Sequence, residues 1–307
     1  MNSESITRSV AMLRAVVAGR SYSDVAAEHG LARTSVERRV KTLAVRLHQE
    51  LNLPGVGDDG VVHVRRLRLW HAEVEAVLAR FEPSRPAPRP SPPVLSDADV
   101  RLALQRARLR SPMPTRDVAL VALLFATGVR PLELARMTVG DYLRADGSVR
   151  AISLLRAEVS VNRKNRPLYF VSPGLHRALD AYLEERRRVT GSIGTRNATY
   201  LGFDPEERLL LNDQWQPYNV DQFMGARGKT RYLCRAMLVT CRKVFGRIAM
   251  PGVSALTVRR TVAARLAERG ADEKQIGEIL GIYERKAVRG LLPQSSRKPE
   301  DLMSGLV

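Results

Sequence analysis

Between Glu82 and Pro93 the chain reads EPSRPAPRPSPP, six prolines in twelve residues. Proline at that density is excluded from helix interiors and from central strands, because it lacks the N–H and fixes φ. The chain must therefore fold separately on either side. We read residues 1–81 and 95–307 as two modules and 82–94 as an extended polyproline II spacer, rising about 3.1 Å per residue. With 307 residues and 44% hydrophobic composition, there is enough apolar material for a sizeable core. Linkage of two such modules raises avidity for adjacent stretches of one ligand.

The most ordered pattern in the second module is VSALTVRRTVAARLAERGADEKQIGEILGI, 253–282. Val258, Val262 and Leu266 recur at helical spacing, Gly270 stops the helix, and Asp272 opens another whose buried face holds Ile276 and Leu280. Arg259 and Arg260 fall in the first turns of the leading helix, where a guanidinium can fork two donors onto one phosphate. Upstream, Ser96 is read as the cap of DADVRLALQRARLR and Thr115 as the cap of RDVALVALLFATG, a buried central helix ending at Gly128. Arg130 then stands between a helix end and the next helix start. RAISLLRAEVSVNRKNRPLYFVSP predicts two or three strands with Lys164 near a hairpin turn, and PGLHRALDAYLEERRRVTG an amphipathic helix. The stretch 191–208 is polar and aperiodic, and is read as a loop. Met224 to Met250 is read as one basic amphipathic helix after a Gly-containing turn, with Arg227, Lys229, Arg231, Arg235, Arg242 and Lys243 as a backbone-contact surface.

The two boxes TVRRTVAARLAERGADEKQIGEILG and ATGVRPLELARMTVGDYL resemble those of the tyrosine recombinases, the phage-type integrases. Their order matches the family and their arginines, Arg259 and Arg130, stand about 130 residues apart. The resemblance implies a mainly α fold with a small antiparallel β-sheet, and a site in which two arginines clamp a DNA phosphate. It also implies proton-transferring Lys and His groups and a tyrosine nucleophile, and here the chain departs from the pattern. The His of His-x-x-Arg is Leu256, and the His/Trp after Leu-Gly is Ile282; neither can transfer a proton. The nucleophile position falls on Leu291, which cannot form a phosphoryl intermediate. Tyr283 stands about eight residues too early, a displacement of roughly 12 Å along a helix, and is more simply a packing aromatic.

The first module reads as a DNA reader. A helix over Ile6–Ala18 precedes a short helix from Ser23, a turn at Gly30 and a second helix opened by Thr34 and Ser35. That second helix would present Arg33, Thr34, Ser35, Glu37, Arg38 and Lys41 to a groove. GDDGVVHVRRLRL reads as a wing placing Arg65, Arg66 and Arg68 on phosphates. The arrangement resembles the winged helix-turn-helix of LysR-type regulators, whose following helix pairs subunits.

The chain carries fifty Lys and Arg against thirty-two Asp and Glu, a formal charge of +18, which points to a polyanionic partner. Nothing in the sequence has the length and apolarity of a membrane span, a signal peptide or a lipid anchor. The expectation is a cytoplasmic, nucleoid-associated protein binding double-stranded DNA, forming homo-oligomers and working with transcription machinery or an active recombinase. Two cysteines are too few for a disulfide scaffold or zinc site, and the histidines lack metal-ligand spacing, so neither a metal nor another cofactor is expected. The function read from these features is a catalytically inactive recombinase homologue in transcription regulation or DNA maintenance of a bacterial or mobile-element genome. The alternative is an active or accessory recombinase that uses Tyr283 or a partner subunit.

Overall fold

The structure, a computed structural model, describes residues 3–56, 62–82, 93–191, 199–224, 230–250 and 252–293. It divides into two compact units, 1–90 and 91–307. The Pro-rich core of the spacer, 83–92, and the tail after Pro293 lie outside the described residues.

In the first unit α1 (Ser3–Val17), α2 (Tyr22–Glu28) and α3 (Arg33–Leu51) pack on one another, followed by α4 (Val64–Leu69) and α5 (His71–Arg80). Ser21 and Asp24 form a reciprocal capping box that starts α2. Gly30 takes a left-handed φ of +60° in the turn before α3. Val36, Val40, Leu43 and Leu47 line one face of α3 and meet Ile6, Leu13 and Val16 of α1 in the core. Helix α3 begins at Arg33 after an extended Ala32 with no side-chain cap, so Thr34 and Ser35 stand inside the first turn.

The wing expectation is corrected here. Val56 and Val62 pair in an antiparallel bridge, and the Asp-Asp-Gly turn between them lies outside the described residues. The alternating tail is helix α4, not a strand. Leu67 is buried while Leu69 is 82% exposed, so the apolar pattern has the three-residue step from Val64 to Leu67 of a helical turn. Arg65 and Arg66 sit exposed on this helix. Arg68, also exposed, folds back over the chain after α1, donating from Nε to the Val16 carbonyl at 3.0 Å and from Nη2 to that of Arg20 at 2.9 Å. It thereby satisfies carbonyls at the end of α1.

The second unit is built around α7 (Pro114–Thr127), apolar on nearly every side, against which α6 (Asp97–Arg110), α10 (Pro173–Thr190) and α12 (Ala255–Glu268) pack. Ser96 caps α6 through a box with Asp99, as its sequence implies. Thr115 does not cap α7: Pro114 opens that helix after Met113, and the Thr115 hydroxyl bonds Glu185 of α10. Between α7 and α10 come α8 (Pro131–Arg136), α9 (Val139–Tyr142) and an antiparallel pair, β1 (Ile152–Leu155) and β2 (Arg166–Tyr169), with Leu155 opposite Arg166. Lys164 therefore stands in the loop 156–165 that joins these strands.

The single basic helix expected over 224–250 is two structures. β3 (Asp221–Met224) and β4 (Thr230–Leu233) form a second antiparallel hairpin, and α11 (Arg235–Ile248) starts only after Cys234, whose Sγ accepts from Met237 N–H. Thr230 and Tyr232, one β-branched and one aromatic, favour a pleated strand over a helix start. Arg227 and Lys229 lie outside the described residues. Helix α13 (Glu273–Leu280) follows α12, capped by Asp272 and Gln275, and α14 (Arg285–Arg289) closes the described unit. Among the described residues, no helix is long and apolar enough to cross a membrane.

Candidate nucleic-acid interface

Arg130 is set by the turn between α7 and α8. Gly128 ends α7 at φ +63°, where an added Cβ would lie 2.4 Å from Leu280 Cδ2, and Pro131 opens α8 immediately after Arg130. Glu133 caps the new helix by accepting the Arg130 N–H at 2.9 Å. The same buried carboxylate accepts the Val161 N–H at 3.3 Å and pairs with Arg166 of β2 at 3.0 Å, both side chains being 3% exposed. A lone buried charge would be costly, so this pairing holds the β1–β2 hairpin to α8.

Arg259 reaches the same place from α12, only 7% exposed. Its Nη1 donates to the Gly128 carbonyl at 2.6 Å and its Nη2 to the Leu280 carbonyl at 2.9 Å. Those bonds brace the ends of α7 and α13 and use two of the five guanidinium donors. Burial, and then the neighbouring Arg130, lower the Arg259 pKa to about 10; Arg166 adds to the shift and Glu133 opposes it. Three arginines thus stand near one carboxylate that pairs with Arg166 alone, an excess of cation that a phosphate would balance.

The strand-connecting loop completes the cluster. Asn162 accepts from Arg130 Nη1 at 3.3 Å and donates from Nδ2 to the Gly281 carbonyl at 2.6 Å. Two residues on, Lys164 Nζ stands 4.2 Å from the centre of the Tyr283 ring, a cation–π contact. The structure therefore brings Arg130, Arg259, Lys164 and Tyr283 into one neighbourhood. Arg260 is outside it, 8% exposed and turned to the Gly290 carbonyl at 3.3 Å. Leu256 is 52% exposed one turn before Arg259, whereas Leu291 is 8% exposed and packed in the core. Glu133, Asn162 and Arg166 escaped sequence reasoning as site residues. The Arg-x-x-Glu spacing at 130–133 was the available signal, since Glu at the third helical position is a capping residue.

In the first unit Arg33, Thr34 and Arg38 are exposed on α3, with Ser35 half-buried. Lys41 is held by Glu37 one turn back at 2.8 Å.

The chain is similar, at low identity, to two curated tyrosine recombinases. It is 28% identical over 168 residues to tyrosine recombinase XerC of Bifidobacterium longum (strain DJO10A), a match covering 54% of this chain and 40% of that protein. Against tyrosine recombinase XerC of Pelotomaculum thermopropionicum the identity is 24% over 266 residues, covering 85% and 71%. The chain thus spans less than half the length of the first relative. No family model matches it. Among solved structures it is similar to the XerA recombinase, with a TM-score of 0.46, 16% identity and coverage of 94% and 95%. The Tn1549 transposon integrase in complex with circular intermediate DNA gives a TM-score of 0.47 and 14% identity, over 86% of this chain and 82% of that one.

Proposed function

We propose that this chain binds double-stranded DNA on a tyrosine-recombinase-related scaffold without cutting it, and serves transcription regulation or DNA maintenance in a bacterial or mobile-element genome. The observation that carries the reading is the pairing of a cation-rich cluster at Arg130, Arg166 and Arg259 with a buried leucine, Leu291, where the family resemblance puts the nucleophile. Arg130, half-buried beside the enclosed Arg259, is the donor that meets the phosphate; Arg259 contributes field and any remaining N–H groups. In the first unit α3 is the element for groove readout, through Arg33, Thr34, Ser35, Arg38 and Lys41.

A second reading draws on the Tyr283–Lys164 contact. Tyr283 is 55% exposed, and Gly281, two residues before it, is tied through Asn162 to Arg130. An active recombinase using Tyr283 as nucleophile would place the phenol where a backbone phosphate arrives.

Incubation with nicked duplexes, resolved on denaturing gels, separates the two. The inactive reading expects duplex binding whose log affinity falls linearly with log salt, and no protein–DNA adduct. An adduct that disappears in Tyr283→Phe would replace it with the second reading.

A further inference from the structure

Beside the Arg130 cluster lies another gathering of positive charge that neither the family boxes nor the sequence reading assigned. Arg136, in the last turn of α8, holds its guanidinium 4.4 Å from the centre of the Tyr232 ring on β4. Arg163, in the β1–β2 loop, approaches the same ring at 5.8 Å and donates to the Thr230 carbonyl. Arg208 adds a third guanidinium, whose Nη1 bonds the Arg136 carbonyl at 2.6 Å.

Like charges do not gather around one ring without cost. Burial lowers the Arg136 pKa first, and Arg208 and Arg163 push it the same way, while Tyr232 and Glu158 pull against them. Glu158 is already paired with Arg156 at 3.2 Å. Among the described residues no carboxylate stands within salt-bridge distance of Arg136 or Arg163.

The backbone adds an independent observation. Arg163 has φ of +53°, the left-handed region that glycine and asparagine enter readily and arginine does not. Its neighbour Asn162 has the better side chain for that conformation, yet the strained position carries the cation. Strain kept at one residue points to a function for its side chain.

We infer that Arg136 and Arg163, stacked on Tyr232, form a second DNA-phosphate contact, separate from Arg130. Arg130 and Arg136 bracket α8, a backbone rise of about 9 Å at 1.5 Å per residue. Arg136 and Arg163 each present a flat guanidinium against the Tyr232 ring, so the geometry suits a fixed anion rather than a diffuse ion atmosphere. The inference rests on the DNA-binding reading above and adds a contact to it.

The test is a salt titration of full-length protein on a 30-base-pair duplex of random sequence, read by fluorescence anisotropy, with thermal melts of each variant by circular dichroism. Arg136→Gln/Arg163→Gln lowers the slope of log affinity against log salt by about 1.8, and Arg130→Gln lowers it by about 0.9. Arg163→Gly weakens binding while the melting temperature holds or rises, because glycine relieves the backbone; a merely structural Arg163 would lower it. Arg163→Lys keeps the slope. If the double variant retains the wild-type slope while Arg130→Gln reduces it, the second contact is wrong and the DNA-binding reading stands. If wild-type protein does not bind the duplex, both fall.

Discussion

Arg259 and Arg130 lie in one cluster but do different jobs. Arg259 is buried with its terminal nitrogens on the Gly128 and Leu280 carbonyls, so it is first a brace between helix ends. Arg130 is half-buried, and among the described residues its guanidinium hydrogen-bonds Asn162. Truncating Arg259 to Ala strands two carbonyls in the core and should cost about 2–4 kcal/mol in urea unfolding. Arg130→Gln removes the like charge beside Arg259, so its unfolding free energy should hold or rise by roughly 0.5 kcal/mol while DNA affinity falls. Equal destabilisation by the two changes would contradict this division. Inorganic phosphate supplies a further check at the same residues. It should raise the melting temperature of the wild type more than that of Arg130→Gln, since a bound anion offsets the Arg130 repulsion that adds to burial in lowering the Arg259 pKa.

The elements hold these residues through their ends. Helix α13 stops at Gly281, φ +64°, and an added Cβ there would lie 2.8 Å from Cδ of Arg166, the buried partner of Glu133. Gly281→Ala should therefore cost about 1–3 kcal/mol, through left-handed strain and through displacement of Arg166, and should weaken DNA binding along with stability. A melt within one degree of wild type would show that the Arg166–Glu133 pair does not depend on this turn. Such helix ends are the part of the fold the sequence displays most plainly. The Ser96–Asp99 and Asp272–Gln275 boxes and the Gly128 stop are local chemistry, and all three form as their residues imply. What it hides is set by distant partners. Val64-Arg-Arg-Leu-Arg-Leu alternates like a strand, yet Leu67 and, partly, Val64 find the core and Arg68 finds the end of α1, so the segment coils. Basic residues over 224–250 mask a hairpin whose Tyr232 is covered by Arg136 and Arg163. Glu133 reads as a helix cap, and only the fold shows that it also neutralises Arg166.

At the scale of the whole molecule, the +18 charge is spread over two compact units with different means of meeting a duplex. In the reading proposed above, the second unit offers guanidiniums suited to phosphate, which carries no sequence information. Helix α3 of the first offers Arg33, Thr34 and Arg38 exposed at its start, the hydroxyl and fork chemistry that base edges require. Affinity and specificity should then separate by mutation. Arg130→Gln should weaken binding to every duplex by a similar factor and flatten the salt dependence, leaving any footprint in place but fainter. Arg33→Ala/Arg38→Ala should compress the ratio between the protein's preferred duplex and a random one, each lost base contact being worth about 1–3 kcal/mol. Selection from a random duplex library, followed by footprinting of the recovered sequence, measures both quantities on one protein. If Arg130→Gln shifts the selected sequence and the α3 double variant does not, sequence readout belongs to the second unit and α3 has no part in it.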